Sequence, residues 1–295
     1  MNSQLGPSLA LIIGGVLWGL FWIPLRALDD SGITGAWPGM LVYIVVAAAM
    51  LPLIFLKPGL IKSPILSLAW CGLFTGTAFA LYATSLFFTD VVRVLLLFYI
   101  TPVWSTLLGY FLLSERITAS RLLALVLGLS GLLVVLGIGV RFPWPRNIGD
   151  WFALCSGLAW AYGSLCVYRL KDSGTYEQVL AFVIGGTIVS AIAILFGGPL
   201  VGPSLDIGRV TSTVPLIAFC AMLLIPMLVL TIWPAKLLSP GRVGLLLMSE
   251  VVVGIASAAV LAGEPFGLRE TLGTLLVVSA GLVEVFGNVS NETSA

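Results

Sequence analysis

The chain has 295 residues, of which 59% are hydrophobic and 9% charged, with a net charge of +1 and a mean hydropathy of +1.13. A soluble domain carries about 25% charged residues, so this composition excludes one and asks for lipid. Without a basic tract nothing pulls on nucleic acid phosphates, and without histidine the commonest metal ligand and proton shuttle is missing.

In chain order, apolar stretches of about 20 residues, the length that crosses a bilayer, fall at 8–27, 36–56, 64–88, 92–113 and 121–140. Five more follow at 150–169, 176–196, 214–235, 243–262 and 270–287. The chain is therefore expected to be an all-α integral membrane protein of ten transmembrane helices. The first eight residues hold no Lys or Arg and no small-residue cleavage site follows the first apolar run, which reads as a first spanning helix and not a signal peptide. The connections at 57–63, 89–91, 114–120 and 170–175 are short, predicting that consecutive helices are antiparallel neighbours and that no extramembrane domain exists.

The chain also repeats itself. At an offset of 149, Ala69 and Cys71 fall on Ala218 and Cys220, Arg93 and Val94 on Arg242 and Val243, and Glu115 on Glu264. At an offset of 142, GGVLWG at 14–19 falls on SGLAWA at 156–161, bringing Trp18 onto Trp160. This divides the chain into a first repeat, 1–140, a Pro-containing linker, 141–149, and a second repeat, 150–289. Five helices is an odd number, so the second repeat enters the membrane from the opposite side, the inverted construction that places a transporter's substrate site near the bilayer midplane. An N-inside arrangement puts eight of the 14 Lys and Arg in the cytoplasm, all four Lys among them, so both termini are expected there.

The stretch 242–264, RVGLLLMSEVVVGIASAAVLAGE, places one acid in mid-membrane. Glu250 follows Arg242 by eight residues, about 12 Å along a helix. Burying it costs a few kcal/mol, so it is expected either to meet a substrate amine or carry a proton, or to be held neutral against a neighbouring helix. The four cysteines, at 71, 155, 166 and 220, lie in apolar runs without metal-ligand spacing and read as small buried hydrophobes. No cofactor or metal is implied.

With GGVLWGLFWIP in the first helix, YITPVWSTLLGYFLLSERIT in the fourth and SEVVVGIASAAVLAGEPF in the ninth, the chain resembles the EamA family of the drug/metabolite transporter superfamily. Over essentially its full length it is most similar to aromatic amino acid exporters of the YddG type. The resemblance implies two EamA repeats around a central cavity, with Glu250 and Glu264 standing where the family has two acids fourteen residues apart. Thr101 and Glu115 are the matching positions in the first half. Val251 replaces the family's usual proline, whereas Pro102 keeps it without the acid before it.

Trp18, Trp22, Phe79, Tyr82, Tyr99 and Trp160, with Thr101, Ser164, Met248 and Glu250, are the expected substrate-binding residues. A wall of such aromatics could stack a ring; plain helix packing is the alternative for each. Pro24, Pro102 and Pro234 are candidate hinges, Glu115 and Glu264 interfacial anchors or helix caps, and Lys236 and Arg242 either a carboxylate contact or chains snorkelling to headgroups.

The expected function is a monomeric transporter in the bacterial inner membrane that exports large apolar or aromatic amino acids by alternating access. A proton-coupled carrier of drugs, or of another metabolite such as a nucleotide sugar, is the nearer rival. An intramembrane enzyme would need clustered acids, histidine or a metal site, and the sequence offers none.

Overall fold

The structure, a computed structural model, describes residues 4–57, 59–136, 144–261, 263 and 266–287. Regular structure among them is helical throughout. The first half contains α1 (Leu5–Leu20), α2 (Trp22–Asp30), α3 (Trp37–Met50), α4 (Pro52–Leu56), α5 (Ile65–Ser85), α6 (Val91–Phe98), α7 (Thr101–Leu113) and α8 (Ala119–Leu136). The second contains α9 (Ile148–Arg169), α10 (Thr175–Phe196), α11 (Gly198–Val201), α12 (Ile207–Ala235), α13 (Pro240–Leu246), α14 (Ser249–Leu261) and α15 (Leu268–Gly287).

Several elements join into single crossings: α1 with α2, α3 with α4, α6 with α7, and α13 with α14. Eight helices among the described residues are long and apolar enough to cross a membrane, matching the first to fourth and sixth to ninth expected spans. The expected fifth span falls on a shorter apolar helix at Ala119–Val135, and the expected tenth on α15. Apolar side chains such as Leu9, Phe111, Leu195 and Val260 are exposed, as lipid-facing positions should be. Glu264 and the linker residues 141–143 lie outside the described residues.

Packing departs from the sequence expectation. Short connections suggest that consecutive helices are each other's main neighbours, yet the principal contacts run between halves: α8 against α15, α5 against α9 and α10, α3 against α10 and α12, α1 against α12 and α14, and α7 against α13. Small residues make the closest of these seams possible. A Cβ at Gly76 of α5 would lie 2.2 Å from the Gly186 nitrogen of α10, and one at Gly185 would lie 2.0 Å from the Gly72 oxygen. Gly19 brings α1 onto the first turn of α14, where a Cβ would meet the backbone carbonyl oxygen of Glu250 at 2.6 Å.

Polar networks tie down the ends of the bundle. Arg121 donates to Glu115 at 2.9 Å, to Glu284 at 3.3 Å and to Ser239 Oγ at 2.9 Å, joining α8, α15 and the turn before α13. Glu115 is thus an ion-pair partner inside the protein. Lys236 and Arg242 do not reach outwards as snorkelling chains would. Lys236 donates to the Ser173 carbonyl, and Arg242 to Gln4 Oε1 at 2.7 Å and Ser8 Oγ at 3.1 Å. Burial pulls the Lys236 ammonium below the usual lysine value, against the charges of Glu177 and Asp172. At the other end Arg93 pairs with the fully buried Asp150 at 2.7 Å. Two of the cysteines, Cys71 and Cys220, are buried as expected, whereas Cys155 is exposed on the apolar exterior.

Candidate functional site

Two crossings are interrupted, and the interruptions meet. α6 stops at Phe98 and α7 starts at Thr101; α13 stops at Leu246 and α14 starts at Ser249. In each break a hydroxyl takes up a carbonyl of the preceding turn: Thr101 Oγ1 donates to Phe98 O at 2.5 Å and Ser249 Oγ to Leu246 O at 3.0 Å. Such local bonds compete with the helix ladder. Both hydroxyls also abut a neighbouring helix, Thr101 at Gly157 O of α9 (3.0 Å) and Ser249 at Ile12 O of α1 (3.2 Å).

Thr101 and Ser249 are 148 residues apart (249 − 101), one fewer than the offset that aligns Arg93 with Arg242. The matching of Thr101 with Glu250 is therefore corrected at the site. Structurally Thr101 answers to Ser249, and Glu250 occupies the place that Pro102 holds in the first half. The acid and the proline are alternatives at one position in the first turn after the break. Pro102 needs no N–H partner there, and Glu250 in the first turn of α14 sits where a helix favours negative charge.

Glu250 is 5% exposed, and its carboxyl is held by two tyrosines. Tyr82 on α5 donates to Oε1 at 2.6 Å. Tyr99, inside the first break, places its hydroxyl 2.5 Å from Oε2 and 2.7 Å from the Leu247 carbonyl of the second break. These contacts replace the water that the carboxyl loses on burial. No ion pair to Glu250 exists among the described residues.

Beside it lies a small cavity, about 40 Å³, lined by Trp18, Phe79, Tyr82, Trp160 and Glu250 of the expected set. Phe98, Phe182, Thr231 and Leu247 line it as well, and sequence reasoning missed them. Thr231 had a legible signal, a lone hydroxyl in the run LVLTIW; Phe182 had none. Phe79 is the hub of the aromatic wall, with ring centroids of Trp18 at 4.5 Å, Tyr43 at 5.8 Å, Phe21 at 6.0 Å, and Tyr82 and Phe182 at 6.2 Å.

The remaining expected residues stand elsewhere. Trp22 donates to Ser257 Oγ at 3.0 Å and lines a separate, much smaller pocket with Arg26 and Asp29. Ser164 is buried and spends its hydroxyl on Ala161 O at 2.9 Å. Met248 is buried with its sulfur against Gly128 of α8. Pro24 is the third residue of α2, Pro102 the second of α7, and Pro234 lies in the last turn of α12.

Residues 6–137 match the EamA-like transporter family. A protein of Salmonella typhimurium named "Probable amino-acid metabolite efflux pump" is 25% identical over 186 residues, 61% of this chain and 62% of that one. One of the same name from Escherichia coli is 24% identical over 190 residues, 62% of this chain and 64% of that one. The chain thus spans less than two thirds of the length of these relatives. A solved crystal structure shares the fold with a TM-score of 0.69 at 18% identity, over 95% of this chain and 96% of the other. Apolar crossing helices and this family match together make the chain a multi-pass membrane protein whose residues 6–137 are similar to the EamA-like transporter family.

Proposed function

We propose that the protein exports amino acids with large apolar or aromatic side chains across the bacterial inner membrane, by alternating access through the cavity at Glu250. The observation that carries this reading is the composition of the cavity wall. Six rings, those of Trp18, Phe79, Tyr82, Phe98, Trp160 and Phe182, surround one carboxyl. The rings offer stacking and apolar contact to a side chain, and Glu250 offers a counter-charge to an amine. Aromatic walls with one convergent polar group are the usual make-up of a small-ligand site. The names of the two bacterial relatives support export of amino-acid metabolites.

The two repeats, 1–140 and 150–289 with 141–149 between them, are read as inverted copies, and α8 and α15 as their fifth helices. Supporting this, the packing is reciprocal. α1 lies against α12 and α14 as α9 lies against α5 and α7, and the hydroxyls of Thr101 and Ser249 make equivalent bonds. Both termini are placed in the cytoplasm and the working unit is a monomer.

The test is uptake by proteoliposomes of labelled phenylalanine, tryptophan, methionine, alanine, a cationic dye and a nucleotide sugar, with and without an imposed proton gradient. Saturable uptake of the large amino acids supports the reading. A second reading, a proton-coupled carrier of cationic drugs, is favoured by Glu250 being, among the described residues, the one charged side chain that lines the cavity. Gradient-driven movement of the dye alone would establish it and sink the amino acid assignment.

A further inference from the structure

Arg93 and Arg242, which the repeat aligns, each hold the start of a helix in the opposite half. Arg93 is the third residue of α6, and its side chain donates to Asp150, the third residue of α9, at 2.7 Å and to the Trp144 carbonyl at 2.7 Å. Arg242 is the third residue of α13 and donates to Ser8, in the first turn of α1, and to Gln4 just before that helix. The partners are related as well. Ser8 and Asp150 are 142 residues apart (150 − 8), the offset that brings Trp18 onto Trp160. Two offsets that arise separately in the repeat thus converge on one contact made twice.

The two copies of this contact stand at opposite ends of the molecule. α7 lies against α13 and α6 against α14, so the two interrupted crossings run antiparallel, with their breaks joined where the Tyr99 hydroxyl meets the Leu247 carbonyl at 2.7 Å. Ten residues of helix separate Asp150 from Trp160 (160 − 150) and Ser8 from Trp18 (18 − 8), which is about 15 Å in each case. Each contact therefore lies about half a hydrocarbon thickness from the cavity that both tryptophans line. That cavity, about 40 Å³, has room for about three waters at 10–15 Å³ each. A confined space lies between two fixed ends.

We propose that these two contacts are the gates of the transport cycle, one at each mouth of the central cavity, and that both are shut in this structure. Parting Arg93 from Asp150 frees the start of α9 and opens one mouth; parting Arg242 from Ser8 and Gln4 frees the start of α1 and opens the other. Water entering an open mouth solvates the separated charges, so a gate that parts strands no buried charge, as deleting one partner would. With both termini in the cytoplasm, the Arg93 gate faces outwards and the Arg242 gate inwards. The inference rests on the alternating-access reading given above and is independent of the cargo's identity.

The experiment is labelling of a cysteine placed in the cavity wall, Ala78→Cys, in a chain whose four native cysteines are replaced by alanine. A membrane-impermeant maleimide is added to whole cells or to inverted membrane vesicles, and the rate is read from each side. The parent is expected to react slowly from both. Arg93→Gln combined with Asp150→Asn, which removes the contact without stranding a charge, should speed labelling from the outside alone by about tenfold, the weight of one hydrogen bond to a charged group. Arg242→Gln should do the same from the inside alone. Thr89→Val and Ser8→Ala each take one bond from a gate and leave its arginine in place; they should act on the same sides by a smaller factor, and they carry the test if a stronger variant does not fold. Acceleration on one and the same side by both sets, or on neither side in variants that elute as folded protein, overturns the gates. Labelling on opposite sides in a protein that carries the cationic dye and no amino acid supports the gates and sinks the amino acid reading alone.

Discussion

The indole nitrogen of Trp18 donates a 2.9 Å hydrogen bond to the hydroxyl of Thr231, and that hydroxyl donates in turn to the Met227 carbonyl at 2.8 Å. Through this chain α1 and α12 are bonded at the cavity wall. Thr231→Val keeps the shape and removes the acceptor, leaving a buried N–H unmade at a cost of about 1–3 kcal/mol. We expect a lower unfolding temperature in detergent and weaker cargo binding. Thr231→Ser should behave as wild type in both measurements; equal loss in the two variants would mean that packing, not the hydrogen bond, matters.

Asp150 is fully buried. It accepts from Arg93, from Thr89 Oγ1 at 3.0 Å and from the Arg146 backbone at 2.8 Å. Removing only the cation strands this carboxylate, and breaking a buried pair in that way costs about 3–5 kcal/mol. Arg93→Met should therefore unfold well below wild type. The double change Arg93→Met with Asp150→Leu should recover part of the loss, since an apolar pair has no charge to strand. A double variant less stable than Arg93→Met would show that the other bonds of Asp150 dominate.

Phe79 touches five other rings, and truncation to Ala removes its share of the aromatic wall. At about 1 kcal/mol for an aromatic pair beyond its area, affinity for phenylalanine should fall roughly fivefold while alanine binding changes little. Competition binding with the two amino acids separates these effects. An equal change for both would indicate collapse of the cavity.

Gly76 and Gly281 make a matched test of helix approach. A Cβ at Gly76 would lie 2.2 Å from backbone of α10, whereas at Gly281 nothing lies within 4 Å. Gly76→Ala is expected to abolish folded protein on size exclusion, and Gly281→Ala to leave yield and unfolding temperature within error of wild type. Folding of Gly76→Ala at wild-type yield would show that α5 and α10 can separate.

Much of this is legible in the chain, for reasons that differ by residue. The spans can be read because bilayer thickness imposes length and apolarity, and Glu250 because an acid inside such a run is costly enough to stand out. The repeat offset brings Trp18 onto Trp160, and both line the cavity. What escapes depends on three-dimensional arrangement. An ungapped offset of 149 cannot register the residue that α13 lacks relative to α6, so it matches Thr101 with Glu250 when the Thr101 hydroxyl does the work of Ser249. Trp22 shares the residue type and the crossing of Trp18, but four residues carry it into another pocket. Lys236 and Arg242 are bonded within the protein, because their partners lie at Ser173, Gln4 and Ser8, far away in sequence.

The reciprocal packing of the halves bears on how the chain comes apart. α5 is covered by α9 and α10, and α8 by α15, so a half on its own would present its most closely fitted glycine faces to lipid with nothing to fill them. Neither half has a self-contained interior to fall back on. Loss of either one removes the surface that holds the other, and the molecule should leave its native state in one concerted transition, with the severed halves regaining structure only when expressed together.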